Sequence, residues 1–215
     1  MQKIKAVIFD LDGTIANTLP LCIQAFRMSV EPLMNRSLSD EDIIATFGPS
    51  EEGSIMALTP EHYEQGIKDY LRLYEQLHYI CPEPFSGIRE LLAHLKKKNV
   101  PVAMVTGKGK YSTAISLKQF NLAQYFETVE TGSPKGARKE EGIKAVLQKW
   151  NHINKDEIIY VGDASSDITA SRNAGIAVVA AAWAKTANAE NLKALHPDEI
   201  FYSIDDFAKS LYDKI

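Results

Sequence analysis

Asp10 and Asp12 stand two residues apart at the end of the short apolar run Ile4-Lys5-Ala6-Val7-Ile8-Phe9, and Gly13 and Thr14 follow them. If Leu11 keeps the extended backbone, alternation sends both carboxylates into one small volume. Like charges held that close need a cation or a shared proton. Further on, Val161-Gly162-Asp163-Ala164-Ser165-Ser166-Asp167 places one carboxylate after an apolar run and a second four residues later. Oxygen donors of this kind suit Mg²⁺, a hard cation that accepts one or two carboxylates and a phosphate while keeping several waters. Thr106-Gly107-Lys108-Gly109, after Met104-Val105, offers a hydroxyl and free backbone N–H groups where an anion binds favourably. Its spacing is not that of a nucleotide P-loop. Lys135 and Lys139 are the candidate cations, because one ammonium aimed at the aspartates would neutralise both a nucleophile and a bound phosphate. Each feature also has an ordinary structural explanation: a turn at Asp12-Gly13, a helix cap at Thr106, dipole complementarity at Asp167, solvated surface pairs for the lysines.

Such residues converge only if the elements before them are aligned. Val7, Ile8 and Phe9 have the β-branched and aromatic character of a strand buried on both faces. After Thr14 the pattern turns helical, with Leu19, Cys22, Ile23, Phe26 and Val30 in one stripe. A second long helix is expected over Glu61 to Ile80, a capped helix start at Leu38 to Asp42, and a loop at Phe47-Gly48-Pro49-Ser50. Pro82 and Pro84 end this helical block. From Ser86 the chain alternates regularly. Helices are expected at Ile88 to Lys98, Tyr111 to Phe120, Glu140 to Trp150 and Asp167 to Ala174, and strands at Val102 to Val105, Thr128 to Glu130, Ile158 to Val161 and Ala177 to Ala181. A late strand near Ile200 to Tyr202 and a helix from Asp205 complete the series. The expected class is α/β, a doubly wound, Rossmann-like parallel sheet whose strand ends share one edge. Residues 1–15 and 86–215 form the expected core, and 16–85 a small helical insert.

The chain has 215 residues and a net charge of -4, with no basic excess to draw it to nucleic acid. Cys22 and Cys81 lie far apart, without metal-ligand spacing, which fits a reduced protein. No apolar run reaches the length of a membrane span or a signal segment. The expectation is a cytoplasmic protein, monomeric or weakly dimeric, without nucleic-acid or membrane partners. His62 and His78 read as polar-face residues of the insert rather than as ligands.

Asp-x-Asp-Gly-Thr at Asp10 to Thr14, Thr106, a lysine at Lys139 or Lys135, and Gly-Asp-x-x-x-Asp at Gly162 to Asp167 together resemble the haloacid dehalogenase superfamily of aspartate-dependent phosphohydrolases. The resemblance spans essentially the whole chain. The helical insert resembles a C1 cap, and Asp167 to Gly175 is similar to the phosphoglycolate phosphatase branch. The chain lacks the proline that follows the motif lysine in many relatives, and spacing to the next helix favours Lys139 over Lys135. The resemblance implies that Asp10 attacks phosphorus and that Asp12 protonates the leaving oxygen and later deprotonates water. It implies Mg²⁺ held by the carboxylates of Asp10 and Asp163 and the backbone carbonyl of Asp12, with Asp167 behind them. Thr106, Gly107 N–H and Lys139 would hold the transferring phosphoryl group. The implied activity is Mg²⁺-dependent hydrolysis of a small phosphorylated metabolite, phosphoglycolate-like first, with pyrophosphate or a sugar phosphate next.

Asp12 argues against halide displacement, whose enzymes carry a single aspartate there. A β-phosphoglucomutase-like transferase would use the same aspartates. A phosphoaspartate receiver module would gather similar residues but would not need the insert, which is better explained as a lid. Asn17, Thr18, Phe47, Ser50 and Lys108 are candidates to face the leaving group. Trp183 has no role that the sequence supplies.

Overall fold

The computed structural model describes residues 3–215. Six strands, β1 (Ala6–Phe9), β2 (Val102–Val105), β3 (Thr128–Glu130), β4 (Ile158–Gly162), β5 (Ala177–Ala181) and β6 (Glu199–Phe201), form one sheet in the order β3-β2-β1-β4-β5-β6. Every pairing is parallel. The order reverses at β1, and in open α/β sheets the crevice at that switch point, beyond the carboxyl ends, is where ligands bind. The α/β class expected from the alternation is therefore the observed one.

Helices cover both faces because the strands bury side chains on both. Val7, Phe9, Val102 and Met104 join one apolar cluster, and the alternating Ala6, Ile8, Ala103 and Val105 join the other. On the first face lie α5 (Ile88–Lys97), α6 (Lys110–Gln119) and α10 (Ile204–Tyr212). The second carries α7 (Lys139–Lys149), α8 (Ser165–Ala174) and α9 (Ala189–Ala194).

Between β1 and α5 the chain is helical: α1 (Leu19–Met34), α2 (Asp40–Ile44), α3 (Glu51–Leu58) and α4 (Tyr63–Gln76). The Ser39 hydroxyl accepts from Asp42 N–H, and the Asp42 carboxylate accepts from Ser39 N–H, a reciprocal cap that starts α2 where the sequence suggests. The helix expected over Glu61 to Ile80 is shorter, because single 3₁₀ turns replace its ends at Pro60–His62 and His78–Ile80. α3 does not stand out in the sequence. Gly53 sits inside it, and glycine costs a helix about 1 kcal/mol relative to alanine. Packing supplies the reason, since a Cβ at Gly53 would meet the Pro134 carbonyl oxygen at 2.4 Å.

His78 corrects an expectation. It is buried, its ring edge-on to Tyr74 and Phe120, with Nε2 3.3 Å from the Ser116 hydroxyl. A Pro-flanked turn lays it against α6 rather than on a solvated helix face.

Candidate active site

Strand β1 ends at Phe9, and Asp10, buried, continues it by donating its N–H to the Val161 carbonyl of β4. One carboxylate oxygen of Asp10 accepts Leu11 N–H at 2.7 Å, and the other lies 2.6 Å from the Lys139 ammonium. Lys139 is the first residue of α7, so the preceding loop determines its reach. Its ammonium also touches Asp167 Oδ1 at 2.5 Å. Lys135 instead belongs to the exposed loop before α7. The structure thus brings Lys139, not Lys135, to Asp10.

Asp12 sits on the insert side of the same cavity. Its carboxylate accepts the Thr18 hydroxyl, and the Lys108 ammonium lies 3.7 Å away. Gly13 follows at φ +77, a left-handed conformation open to glycine. A Cβ there would meet Asp163 Oδ2 at 2.1 Å, so the residue also keeps space for Asp163. The Thr14 hydroxyl donates to Asp163 Oδ1 at 3.2 Å.

Asp163 directly follows β4, and Asp167 stands in the first turn of α8, fully buried. Asp167 Oδ1 accepts the Tyr160 hydroxyl at 2.9 Å as well as Lys139, while Oδ2 accepts Ala164 N–H at 2.9 Å. With three donors on it, Asp167 is committed to holding Lys139 and the turn. Helix capping and site support coincide in one side chain.

Among the described residues, Asp10, Asp163 and Asp167 offer carboxylate oxygens within 4.8 Å of one another. Burial pushes Asp163 up to about 8, and the charges of Asp10 and Asp167 add to the rise. Burial also raises Asp10, against the opposing pull of Lys139. Carboxylates so crowded favour protons unless a cation joins them. An all-oxygen set with neutralisation still to gain fits Mg²⁺, and Asp163, which among the described residues accepts only the Thr14 hydroxyl, retains free lone pairs.

Thr106 caps no helix; Gly109 precedes α6 instead. The buried Thr106 follows β2, its N–H bonded to Glu130 of β3 and its hydroxyl accepting Lys108 N–H at 3.3 Å. Gly107 packs close to its surroundings: a Cβ on Gly132 would meet the Gly107 carbonyl at 1.9 Å. Asp10, Asp12, Thr106, Gly107, Lys108, Lys139 and Asp163 all line one cavity of about 620 Å³, closed on the other side by Leu19, Phe26, Phe47 and Tyr70.

Of the residues expected to face a leaving group, Phe47 and Lys108 line this cavity, and Thr18 reaches it through Asp12. Ser50 instead donates its backbone N–H to the Ser133 carbonyl across the seam between the insert and the sheet. Asn17 is not part of the lining. Three residues escape sequence reading. Glu51 lines the cavity from α3, Tyr160 holds Asp167 from β4, and Trp183 Nε1 donates to the Thr14 carbonyl at 3.0 Å. Trp183 also stacks on Phe207 of α10, which packs edge-on against Phe9 of β1.

A model of the haloacid dehalogenase-like hydrolase family matches residues 7–181, a span that includes Asp10, Asp12, Thr106, Lys139, Asp163 and Asp167. The chain belongs to that family. A protein named pyrophosphatase PpaX from Halalkalibacterium halodurans is 30% identical over 211 residues, covering 95% of each chain. A haloacid dehalogenase-like family hydrolase from Streptococcus pneumoniae superposes with a TM-score of 0.75 at 24% identity, covering 96% of this chain and 98% of its own. CbbY from Rhodobacter sphaeroides, solved in complex with phosphate, superposes at 0.78 with 17% identity, covering 93% and 94%. At such identities the structural likeness concerns the fold.

Proposed function

We propose that this family member is a Mg²⁺-dependent phosphatase acting on a small phosphorylated metabolite, phosphoglycolate-like, through an aspartyl phosphate on Asp10. The observation that carries the reading is the buried Asp10 carboxylate, which a cavity-facing ammonium and the Leu11 N–H hold at the switch point of the sheet. Lys139 and the hydrogen bond keep that carboxylate oriented for attack.

Asp10 and Asp163 would hold Mg²⁺ through carboxylates, with the Asp12 carbonyl completing the protein's share. Bound there, the ion supplies Lewis-acid polarisation of the phosphoryl group and neutralises the crowded carboxylates. An Asp10 oxygen attacks phosphorus, and the bond from phosphorus to the leaving oxygen breaks. Asp12 gives that oxygen its proton. Burial raises Asp12, with Lys108 and Thr18 opposing, the direction that favours holding a proton. In the second half Asp12 takes a proton from water, which attacks the aspartyl phosphate and releases inorganic phosphate with Asp10 restored. Thr106 O–H, Gly107 N–H and Lys139 spread the charge on the transferring group.

Residues 16–85 serve as the lid in this reading, and residues 1–15 and 86–215 as the catalytic core. The cavity volume suits a small metabolite. Pyrophosphate is the second reading, favoured by the name of the Halalkalibacterium relative. Phosphate release from phosphoglycolate, pyrophosphate, sugar phosphates and an aryl phosphate, with Mg²⁺ or EDTA, tests both. A Mg²⁺-dependent preference for phosphoglycolate supports the first reading, and a preference for pyrophosphate the second. No release from any ester or from pyrophosphate would overturn both.

A further inference from the structure

Glu51 is an acidic side chain of the insert whose hydrogen-bond partners lie mostly in the sheet domain. Its Oε2 accepts Gly109 N–H at 2.5 Å, and its Oε1 accepts the Ser112 hydroxyl at 2.7 Å. The Tyr70 hydroxyl of α4 adds a third donor at 3.0 Å on Oε1. The Lys108 ammonium stands 3.1 Å from the same oxygen. The Glu51 side chain is 11% exposed and that of Lys108 1%. Burial alone would raise the Glu51 carboxyl, yet Lys108, Ser112 and the backbone donors pull it below the usual range, so the pair is ionised.

Two neighbouring contacts show that α3 is seated on the sheet domain at this point. Ser50 N–H bonds the Ser133 carbonyl at 2.9 Å, and Gly53 leaves no room for a Cβ beside the Pro134 backbone. Glu51 lies between those two positions. Lys108 meanwhile has few ways to turn. The Tyr74 ring lies 4.3 Å below its ammonium, Cys22 Sγ is at 3.1 Å, and Asp12 Oδ1 at 3.7 Å.

We propose that Glu51 is a positioning residue that docks the lid on the sheet domain and, once docked, holds the Lys108 ammonium against Asp12. This rests on the reading of Asp12 as the acid that protonates the leaving oxygen. When Asp12 surrenders its proton it becomes a carboxylate at the cavity wall, and an ammonium held nearby stabilises that new charge. Closure therefore couples to chemistry, because the lid supplies the anion that anchors the ammonium the acid needs. The benefit scales with how much protonation the leaving group requires. An alkoxide requires it and a nitrophenolate does not.

Glu51→Gln keeps the size of the side chain but removes its charge and turns one acceptor into a donor opposite Gly109 N–H. The variant is compared with wild type on phosphoglycolate and on p-nitrophenyl phosphate. The rate of Lys108 acylation by acetic anhydride, read by peptide mass, is measured alongside. Expected is a loss of about tenfold in kcat on phosphoglycolate, a change within about twofold on p-nitrophenyl phosphate, and faster acylation of Lys108. Equal losses on both esters would mean general damage and overturn the proposal, as would unchanged acylation. If Glu51→Gln does not fold, Ser112→Ala and Tyr70→Phe each remove one donor and should show the same leaving-group bias at about threefold. If wild type hydrolyses neither ester, the phosphoglycolate-like reading falls, and Lys108 acylation with amide exchange at Gly109 alone decides whether Glu51 docks the lid.

Discussion

Lys139 and Asp10, 129 positions apart in sequence, meet through a 2.6 Å contact between ammonium and carboxylate oxygen. Each side chain comes from the carboxyl-edge end of its own element: Asp10 continues β1, and Lys139 opens α7 after the loop that leaves β3. Lys139 is itself held from behind by Asp167, so its position depends on β4 and α8 as well. Burial alone would lower its ammonium pKa, but the two carboxylates outweigh that and keep it charged.

The lysine pair gives the first prediction. Lys139→Ala should lower kcat at least about a hundredfold, because it removes the cation from both nucleophile and phosphoryl group. Lys135→Ala should leave kcat within about twofold, as expected of an exposed loop residue. Steady-state kinetics on the best substrate checks the ranking, and the reverse ranking would move the catalytic cation to Lys135.

Gly13 gives the second. Gly13→Ala must place a methyl group 2.1 Å from Asp163 Oδ2 and hold alanine at φ +77. The backbone strain alone costs about 1–3 kcal/mol. Displacement of Asp163 should also weaken Mg²⁺ binding. Calorimetric titration with Mg²⁺ and thermal unfolding check the two effects separately, and wild-type values in both would refute the tight packing described here.

The third concerns pH. Asp163 rises from 3.8 to about 8 in the folded chain, so between those values the fold binds a proton that the unfolded chain has released. Metal-free stability should therefore fall as pH rises through that window, the direction also expected from the raised Asp10 and Asp12. Mg²⁺ should raise Tm more near pH 8 than near pH 6, because at the lower pH it competes with a proton. Melting curves in EDTA and in Mg²⁺ at both pH values measure this, and Asp163→Asn should flatten the metal-free slope.

Tyr160 gives the fourth. Its hydroxyl donates to Asp167 and lies 2.7 Å from the Val105 carbonyl. Tyr160→Phe should cost about 1–2 kcal/mol of stability, since buried acceptors lose their donor. It should also lower kcat several-fold with little change in KM, because Asp167 then holds Lys139 less firmly. Unchanged kcat would make Tyr160 a stability residue alone.

The centre of the sheet was legible because β1, β2, β4 and β5 are short apolar runs buried on both faces; Thr128 to Glu130 and Ala177 to Ala181 were read at their observed limits. The two aspartate motifs were legible for a related reason, since a polar residue ending such a run must lie at the sheet edge. Lys139 could be favoured by its distance from the next helix, which it begins. Glu51 could not. Nothing local to Ser50-Glu51-Glu52-Gly53 tells that its carboxylate meets Gly109 and Ser112, more than fifty positions away. The helix around it was hidden as well, because Gly53 answers to the Pro134 backbone rather than to helix propensity. His78 failed for the opposite reason: a polar residue near a helix end looks solvated unless the turn that buries it is known.

The central claim is that Asp10 becomes phosphorylated during turnover. Acid-quenched protein, mixed with phosphoglycolate or pyrophosphate in Mg²⁺, should carry a phosphoryl mass on the peptide containing Asp10. That mass should be absent in EDTA and in Asp10→Asn, with phosphate release lost in both. Sustained phosphate release by a folded Asp10→Asn variant, at even a tenth of the wild-type rate, would contradict the account.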